Sequence, residues 1–187
     1  MVEKKVGRWT IKGSERVYGD EFVEFRVDEI EGPDGKPRRR AVTKLLPGVS
    51  VLALDAEGFV HLVKTFRYAV ERESLEAVAG AIDEGEEPAD AARRELREEL
   101  GIEAGELLDL GHADAVTSQV LSPARLFLAR GLKFGEPEQE ETENLKPVKV
   151  TLAEAVALVM SGEITQALTG LLILKAEKVV SEERRRA

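Results

Sequence analysis

The segment GAIDEGEEPADAARRELREELGI, residues 80–102, carries a start signal and a stop signal for one helix. Pro88 suits the first helical turn, because its fixed φ fits a helix and its missing N–H has no helical acceptor at that position. Gly101 suits the left-handed residue that ends many helices. The sequence therefore predicts a helix over residues 88–100 whose two ends are set by residues of the segment itself.

The predicted helix has an apolar stripe with acidic residues on the adjacent face. The stripe consists of residues four positions apart, Ala92, Leu96 and Leu100. Glu95, Glu98 and Glu99 stand at i, i+3 and i+4, so their carboxylates are neighbours at the edge of the core. Like charges placed so close repel, and a divalent cation relieves the repulsion by sharing the oxygens. Mg²⁺ also takes phosphate oxygens as ligands, so the cluster predicts a metal site that handles phosphate.

An exposed, salt-bridged helix is the alternative interpretation of AARRELREEL, because charged runs of this kind usually lie on a solvated helix face. The residues upstream favour the metal site. Gly80 and Glu86 stand at fixed distances before the acids, and a plain solvated helix needs neither of them.

The same segment resembles the Nudix box, the signature of the Nudix hydrolase family. Gly80 is followed after five residues by Glu86, and after seven more by RELREELGI, residues 94–102, which matches the box at every defined position. The resemblance implies that Glu86 and Arg94 hold the loop and the helix together. It gives Gly80, Glu86 and Gly101 structural roles in the motif.

The resemblance also implies roles in metal binding and catalysis. Glu95, Glu98 and Glu99 resemble the metal-binding glutamates of the family, and the backbone carbonyl of Ala79 resembles the oxygen ligand contributed just before the box. The expected cofactor is Mg²⁺, with Mn²⁺ as the alternative, because both ions prefer oxygen ligands. The reaction would be attack of a metal-positioned water on one phosphorus of a pyrophosphate, with Arg94 in the same catalytic set.

Two groups of acids could supply the general base. One group is the glutamates of the box, and the other is the loop EPEQEETENL, which offers Glu138, Glu140, Glu141 and Glu143. We take Glu141 as the loop candidate, although a solvated acidic turn has the same composition. Arg67 is the expected substrate contact, because guanidinium groups pair with phosphates, and the alternative for it is a surface charge at a strand end.

The patterns divide the chain into an N-terminal β lobe, residues 1–46, and a larger domain, residues 47–187. The lobe shows alternating strands around the turn cluster EGPDGKP. The larger domain is predicted to contain strands on both sides of a turn at 55–58, at 107–113, at 124–129 and at 148–150, and helices at 88–100, from a capping box at Thr151 through Met160, and at 165–178. We expect the charged tail SEERRRA to fray.

The added lobe is similar to that of the ADP-ribose and nucleoside-diphosphate-sugar pyrophosphatase branch of the family, as are the phrases LEAVAGAIDEGEEP and GEITQALTGLLIL. This resemblance implies an α+β fold: a Nudix α/β/α sandwich with a mixed β-sheet, plus a small N-terminal antiparallel β lobe. In that branch the lobe crosses to a second subunit, so a homodimer is expected. ADP-ribose pyrophosphatases carry Ser-Pro-Gly beyond the box, whereas Thr117 and Ser118 stand at the Pro-Gly place here, which leaves the sugar open.

Composition limits the partners. A formal net charge of −9 argues against a nucleic-acid binder, because affinity for phosphate backbones needs a basic surface. The chain has no cysteine, which excludes disulfides and thiol catalysis. The start lacks an apolar signal core, and no apolar run approaches the ~18 residues of a membrane span. We therefore expect a cytoplasmic protein with no nucleic-acid or membrane partner that acts on a small-molecule nucleoside diphosphate derivative.

Three function classes remain open at this point. The first is a metal-dependent pyrophosphatase that cleaves a nucleoside diphosphate linked to a sugar into a nucleoside monophosphate and a sugar phosphate. The second performs the same chemistry on nucleoside triphosphates or dinucleoside polyphosphates. The third is a non-catalytic sensor of nucleotide sugars, against which the intact carboxylates argue.

Overall fold

A computed structural model describes residues 3–138 and 145–186 of the chain. The chain forms two compact units, one made of Met1–Pro47 with Asp114–Pro123 and the other of Gly48–Ala113 with Ala124–Ala187. The sequence patterns place residues 114–123 in the larger domain, whereas in the structure they belong to the first unit. A short strand of this segment pairs with Thr43 and Lys44, a long-range contact that no local pattern encodes.

The first unit is a five-stranded sheet in the order β1-β2-β3-β4-β10. Its strands are β1 (Lys4–Val6), β2 (Trp9–Gly19), β3 (Val23–Glu31), β4 (Pro37–Leu45) and β10 (Val120–Leu121). The first four pair antiparallel in succession, and β10 runs parallel to β4. The predicted hairpin around EGPDGKP is present, with Glu31 opposite Pro37.

The second unit is built on a seven-stranded mixed sheet. Its strands are β5 (Gly48–Leu54), β6 (Phe59–Arg67), β7 (Arg72–Glu76), β8 (Val78–Ala81), β9 (Ile102–Asp114), β11 (Pro123–Phe134) and β12 (Lys146–Thr151). The main order is β12-β6-β5-β11-β9, with β7 paired to β6 and β8 paired to β5. β5 runs parallel to β11 and antiparallel to β6 and β8. β9 and β11 extend well beyond the predicted strands, because ladder hydrogen bonds continue where the apolar residues stop.

Helices cover both faces of this sheet, so that the second unit is the expected three-layer sandwich. The helices are α1 (Pro88–Leu100), α2 (Leu152–Ser161) and α3 (Ala167–Arg186). Leu52 of β5 packs in a core cluster with residues of α2 and α3, and its neighbour Val51 packs in a second cluster with residues of α1. Successive strand residues point to opposite faces, which explains why β5 reads as a continuous apolar run.

The predicted helix over residues 88–100 is confirmed, as is the capping box of Thr151 and Glu154 at α2. The expected fraying of the C-terminal tail is wrong, because α3 continues through Arg186. Ion pairs hold this charged end: Arg130 bonds Glu183 at 2.9 Å, and Lys178 pairs with Glu182 one turn along the helix. No helix in the described ranges is long and apolar enough to cross a membrane.

A buried carboxylate locks the turn between β5 and β6. Asp55, whose side chain is 4% exposed, accepts hydrogen bonds from the backbone N–H groups of Glu57 and Phe59, from the His61 ring, and from the Lys149 ammonium at 2.8 Å. Burial on its own would raise the pKa of Asp55, but Lys149 and the other donors hold it at about 2.

We expect Asp55→Asn to lower the free energy of unfolding at pH 7 by about 2 kcal/mol, because the depressed pKa reflects stabilisation of the charged form in the folded state. The contribution is fully present above the ordinary pKa of 3.8 and is lost as the pH falls toward the folded value of about 2. Urea unfolding of both proteins at pH 7 and at the folded-state pKa of about 2 measures it. Glu57→Gln in the same turn is the control, and an equal gap between wild type and Asp55→Asn at both pH values would contradict the assignment.

Candidate active site

Helix α1 presents the acidic residues to the edge of the sheet. Its apolar stripe is buried as predicted, with Ala92 and Leu96 fully inaccessible to solvent. Gly101 ends the helix in the left-handed conformation, at φ 63°, and its N–H donates to the carbonyls of Arg97 and Leu96. Glu99 is also buried, at 7% exposure, so one of the three glutamates of the predicted metal site lies at the margin of the core.

Arg94 is the centre of a hydrogen-bonded network that joins the preceding loop to the helix. Its guanidinium donates to both oxygens of Glu86 at 3.0 Å and to the carbonyl of Ala81 at 2.9 Å. Glu86 accepts in turn from the backbone N–H of Asp83. The hydrogen bond from Arg94 lowers the pKa of Glu86, and Glu86 raises the pKa of Arg94 far above its ordinary value. Both shifts favour the charged forms of the pair.

The same guanidinium also faces two of the proposed metal ligands. Arg94 Nη1 donates to Glu95 at 2.6 Å and to Glu98 at 3.1 Å. Among residues 3–138 and 145–186, no three acidic or histidine side chains are arranged to hold a metal ion. A cation at this place would therefore take Glu95 and Glu98 away from Arg94, whose charge Glu86 still balances.

Gly80 leaves room for the Glu95 carboxylate. A β-carbon at position 80 would overlap the carboxylate of Glu95, so only glycine allows this side chain to lie directly over the strand β8. Ala79 precedes it on the same strand, paired with Ser50 of β5. Glu95, Glu98 and Glu99 carry the type of oxygen ligand that a hard divalent cation such as Mg²⁺ or Mn²⁺ prefers, although within the described residues their carboxylates are not gathered around one metal position.

Arg67 lies at the end of β6 and is held by a buried acid that the sequence analysis missed. Its guanidinium donates to both oxygens of Glu76, the shortest contact being 2.7 Å, and Glu76 is only 4% exposed. The Arg67 side chain as a whole is about half exposed. The one available signal was an acid within the apolar phrase LEAVA, since a lone charge in a buried strand needs a partner.

The acidic loop begins against the carboxyl end of α1. Gly135 N–H donates to the carbonyl of Gly101 at 2.7 Å, which fixes the chain at the start of the loop. Glu138 is exposed and pairs with Arg97 at 3.6 Å. The candidates Glu140, Glu141 and Glu143 lie outside the described residues.

The chain is similar to known proteins over most of its length. The NUDIX domain model matches residues 44–167. The chain is 34% identical over 168 residues to the ADP-ribose pyrophosphatase of Bacillus subtilis (strain 168), covering 85% of this chain and 87% of that protein. It is 32% identical over 171 residues to the ADP-ribose pyrophosphatase of Mycobacterium tuberculosis (strain ATCC 25618 / H37Rv), covering 87% of this chain and 81% of that one.

A further relative and a solved structure extend the comparison. The methanol dehydrogenase activator of Bacillus methanolicus is 27% identical over 169 residues, covering 88% of this chain and 89% of that one. The crystal structure of an ADP compounds hydrolase superposes with a TM-score of 0.80 at 23% identity, covering 96% of this chain and 98% of that one. This likeness confirms the predicted α+β fold with its three-layer sandwich and added lobe.

Proposed function

Because the chain belongs to the Nudix family, we propose that it is a Nudix hydrolase that cleaves the pyrophosphate bond of a nucleoside diphosphate linked to a sugar or a similar group, ADP-ribose included. The products are a nucleoside monophosphate and a sugar phosphate. The observation that carries this proposal is similarity to two ADP-ribose pyrophosphatases over more than four-fifths of the chain, with all the acids of the box present.

Glu95, Glu98 and Glu99 and the carbonyl of Ala79 are the proposed holders of the divalent metal, with Mg²⁺ first and Mn²⁺ second. Bound there, the ion would offset the negative charge that develops on the attacking and leaving oxygens. Arg94 is anchored by Glu86 and the Ala81 carbonyl, and without the ion it also bonds Glu95 and Glu98, which the bound ion would take over. The described side chains thus supply negative charge for the ion, while the substrate supplies phosphate oxygens.

Arg67 is the proposed phosphate or nucleotide contact. A guanidinium carries its charge at every physiological pH and presents several donors in one plane, which suits phosphate oxygens. Glu76 fixes its position through hydrogen bonds to both carboxylate oxygens. The substrate pyrophosphate would then meet a positive group at Arg67 and the metal at α1.

A panel assay tests the proposed function. The purified protein is incubated with Mg²⁺ and, in separate reactions, ADP-ribose, other nucleotide sugars, nucleoside triphosphates and dinucleoside polyphosphates, and the released monophosphate is quantified. The highest kcat/KM is expected in the nucleotide-sugar group. A preference for triphosphates or dinucleoside polyphosphates would assign the chain to the second function class. Binding of nucleotide sugars with no turnover under Mg²⁺ or Mn²⁺ would assign the chain to the third function class, the non-catalytic sensor.

The general base can be found among the loop acids by substitution. If one of Glu138, Glu140, Glu141 and Glu143 takes the proton from the attacking water, its change to glutamine should lower kcat by about 10²- to 10⁴-fold, with Glu141→Gln as the expected variant. The other three changes serve as matched controls and should leave kcat near the wild-type value. If all four variants keep a kcat near the wild-type value, the general base is one of the glutamates of the box.

We propose a homodimer as the functional assembly. The first unit exposes large apolar side chains that include Tyr18 and Phe22, at 57% and 63% exposure, and a second subunit is a natural cover for such residues. Light scattering at micromolar concentration should therefore give twice the chain mass of 20.5 kDa. A mass near 20.5 kDa would contradict the dimer. Phe22→Ser is the variant expected to weaken the association, and Phe134→Ser in the second unit is its control.

A further inference from the structure

The chain changes its pairing partner immediately before the proposed metal site. β7 ends at Glu76 and pairs with β6, whereas β8 begins at Val78 and pairs with β5. Ala77 stands between the two ladders and is buried at 1% exposure. Its backbone N–H therefore needs an acceptor from outside the sheet, because a buried donor without one is strongly unfavourable.

Helix α3 supplies that acceptor. The hydroxyl of Thr169, itself 1% exposed, accepts from the Ala77 N–H at 3.0 Å. The backbone N–H of Thr169 donates to the Gln166 side chain at 2.6 Å, which fixes the first turn of the helix. Thr169 thus connects the helical layer on one face of the sheet to the point at which the strand changes partner.

The residues on either side of Ala77 carry the site. Glu76, one residue before, holds Arg67 through the bidentate ion pair. Ala79, two residues after, is the proposed carbonyl ligand, and Gly80 is the residue against which the Glu95 carboxylate lies. A shift of the backbone at Ala77 would therefore move the substrate contact and the metal ligands together.

We propose that Thr169 is a positioning residue of the hydrolase site, which acts through the Ala77 N–H to hold Arg67 and the Ala79 carbonyl in place. The expected effect on catalysis rests on the proposed function. The expected effect on the backbone at Ala77 rests on the hydrogen bond alone. Thr169→Val keeps the shape of the side chain and removes the acceptor. Thr169→Ser keeps the acceptor and removes the methyl group.

Three measurements test the proposal. In Thr169→Val, kcat on the best substrate should fall about 10-fold or more, since small displacements of positioning groups are costly in catalysis. The Kd for Mn²⁺ alone, read by electron paramagnetic resonance, should rise several-fold. Amide hydrogen exchange of residues 77–80 should become faster than in the wild type, while the exchange of α1 stays unchanged. Thr169→Ser should restore all three values to within about 2-fold of the wild type.

Thr165→Val is the matched control, because the Thr165 hydroxyl accepts from the exposed Arg72 side chain at 3.0 Å, whereas the Ala77 N–H donates to Thr169. Wild-type values in Thr169→Val, or equal losses in Thr169→Val and Thr169→Ser, would overturn the proposal even if the protein hydrolyses nucleotide sugars. If the wild type hydrolyses none of the panel, the proposed function fails. Faster exchange and weaker Mn²⁺ binding in Thr169→Val would then still support the positioning role.

Discussion

Turnover is expected to fall by about 10³-fold when Glu99 is replaced by glutamine, with little change in stability. Glutamine has the size of glutamate and can still form hydrogen bonds, but it lacks the negative charge that a bound cation requires. Glu99 is the most buried of the three glutamates of α1, so its charge acts in a medium that screens it weakly. The loss should appear in kcat at saturating Mg²⁺, together with a higher Kd for Mn²⁺.

Glu87→Gln is the matched control for Glu99→Gln. Glu87 stands at the N-cap of the same helix and makes no side-chain capping bond, so its neutralisation changes the charge of the segment without touching the proposed ligands. Circular dichroism and thermal unfolding verify that both variants keep the fold. Near wild-type kcat for Glu99→Gln at saturating Mg²⁺ would show that the metal site has been assigned to the wrong residues.

Gly101→Ala should lower the free energy of unfolding by about 3 kcal/mol. Two costs combine at this position: the left-handed backbone conformation, which costs a residue with a β-carbon about 1 kcal/mol or more, and steric overlap, which costs about 1–3 kcal/mol. The overlap would be with backbone atoms, since an added β-carbon would meet the Gly135 carbonyl oxygen and lie 2.7 Å from Glu136 C and 2.8 Å from Pro137 N. Backbone atoms cannot rotate away as a flexible side chain does.

Gly162→Ala separates the two costs. Gly162 ends α2 in the same left-handed conformation, at φ 79°, and an added β-carbon there meets nothing within 4 Å. This variant should therefore lose only the conformational part, about 1 kcal/mol. Chemical denaturation of both variants gives the difference directly. Equal losses at the two glycines would mean that the predicted overlap of a β-carbon at position 101 with residues 135–137 costs nothing.

The bounds of α1 and the spacing of its acids were predictable because every signal lies within the helix itself. Pro88 and Gly101 act on the backbone at their own positions, and the periodicity of Leu96 and its neighbours needs only helical geometry. The capping box at Thr151 was predictable for the same reason, since its two hydrogen bonds join residues three apart. Local geometry of this kind does not depend on how the rest of the chain folds.

The charged tail and the first unit show where such local reasoning stops. The tail of α3 stays helical partly because Arg130 bonds Glu183, a residue 53 positions away. The short strand β10 joins the first unit through pairing with Thr43 and Lys44. Neither contact has a sequence pattern, because both depend on which strands and helices the completed fold brings together.

The candidate site shows the same division between features set by local sequence and features set by long-range contacts. The sequence by itself determined that Glu95, Glu98 and Glu99 share one side of a helix, and that Gly80 and Glu86 stand at fixed distances from them. Only the tertiary structure decided that Glu76 holds Arg67 and that Thr169 bonds Ala77 from 92 residues away. The reason is physical: helical spacing is fixed by the backbone, whereas a buried donor such as the Ala77 N–H takes the acceptor that packing brings within reach.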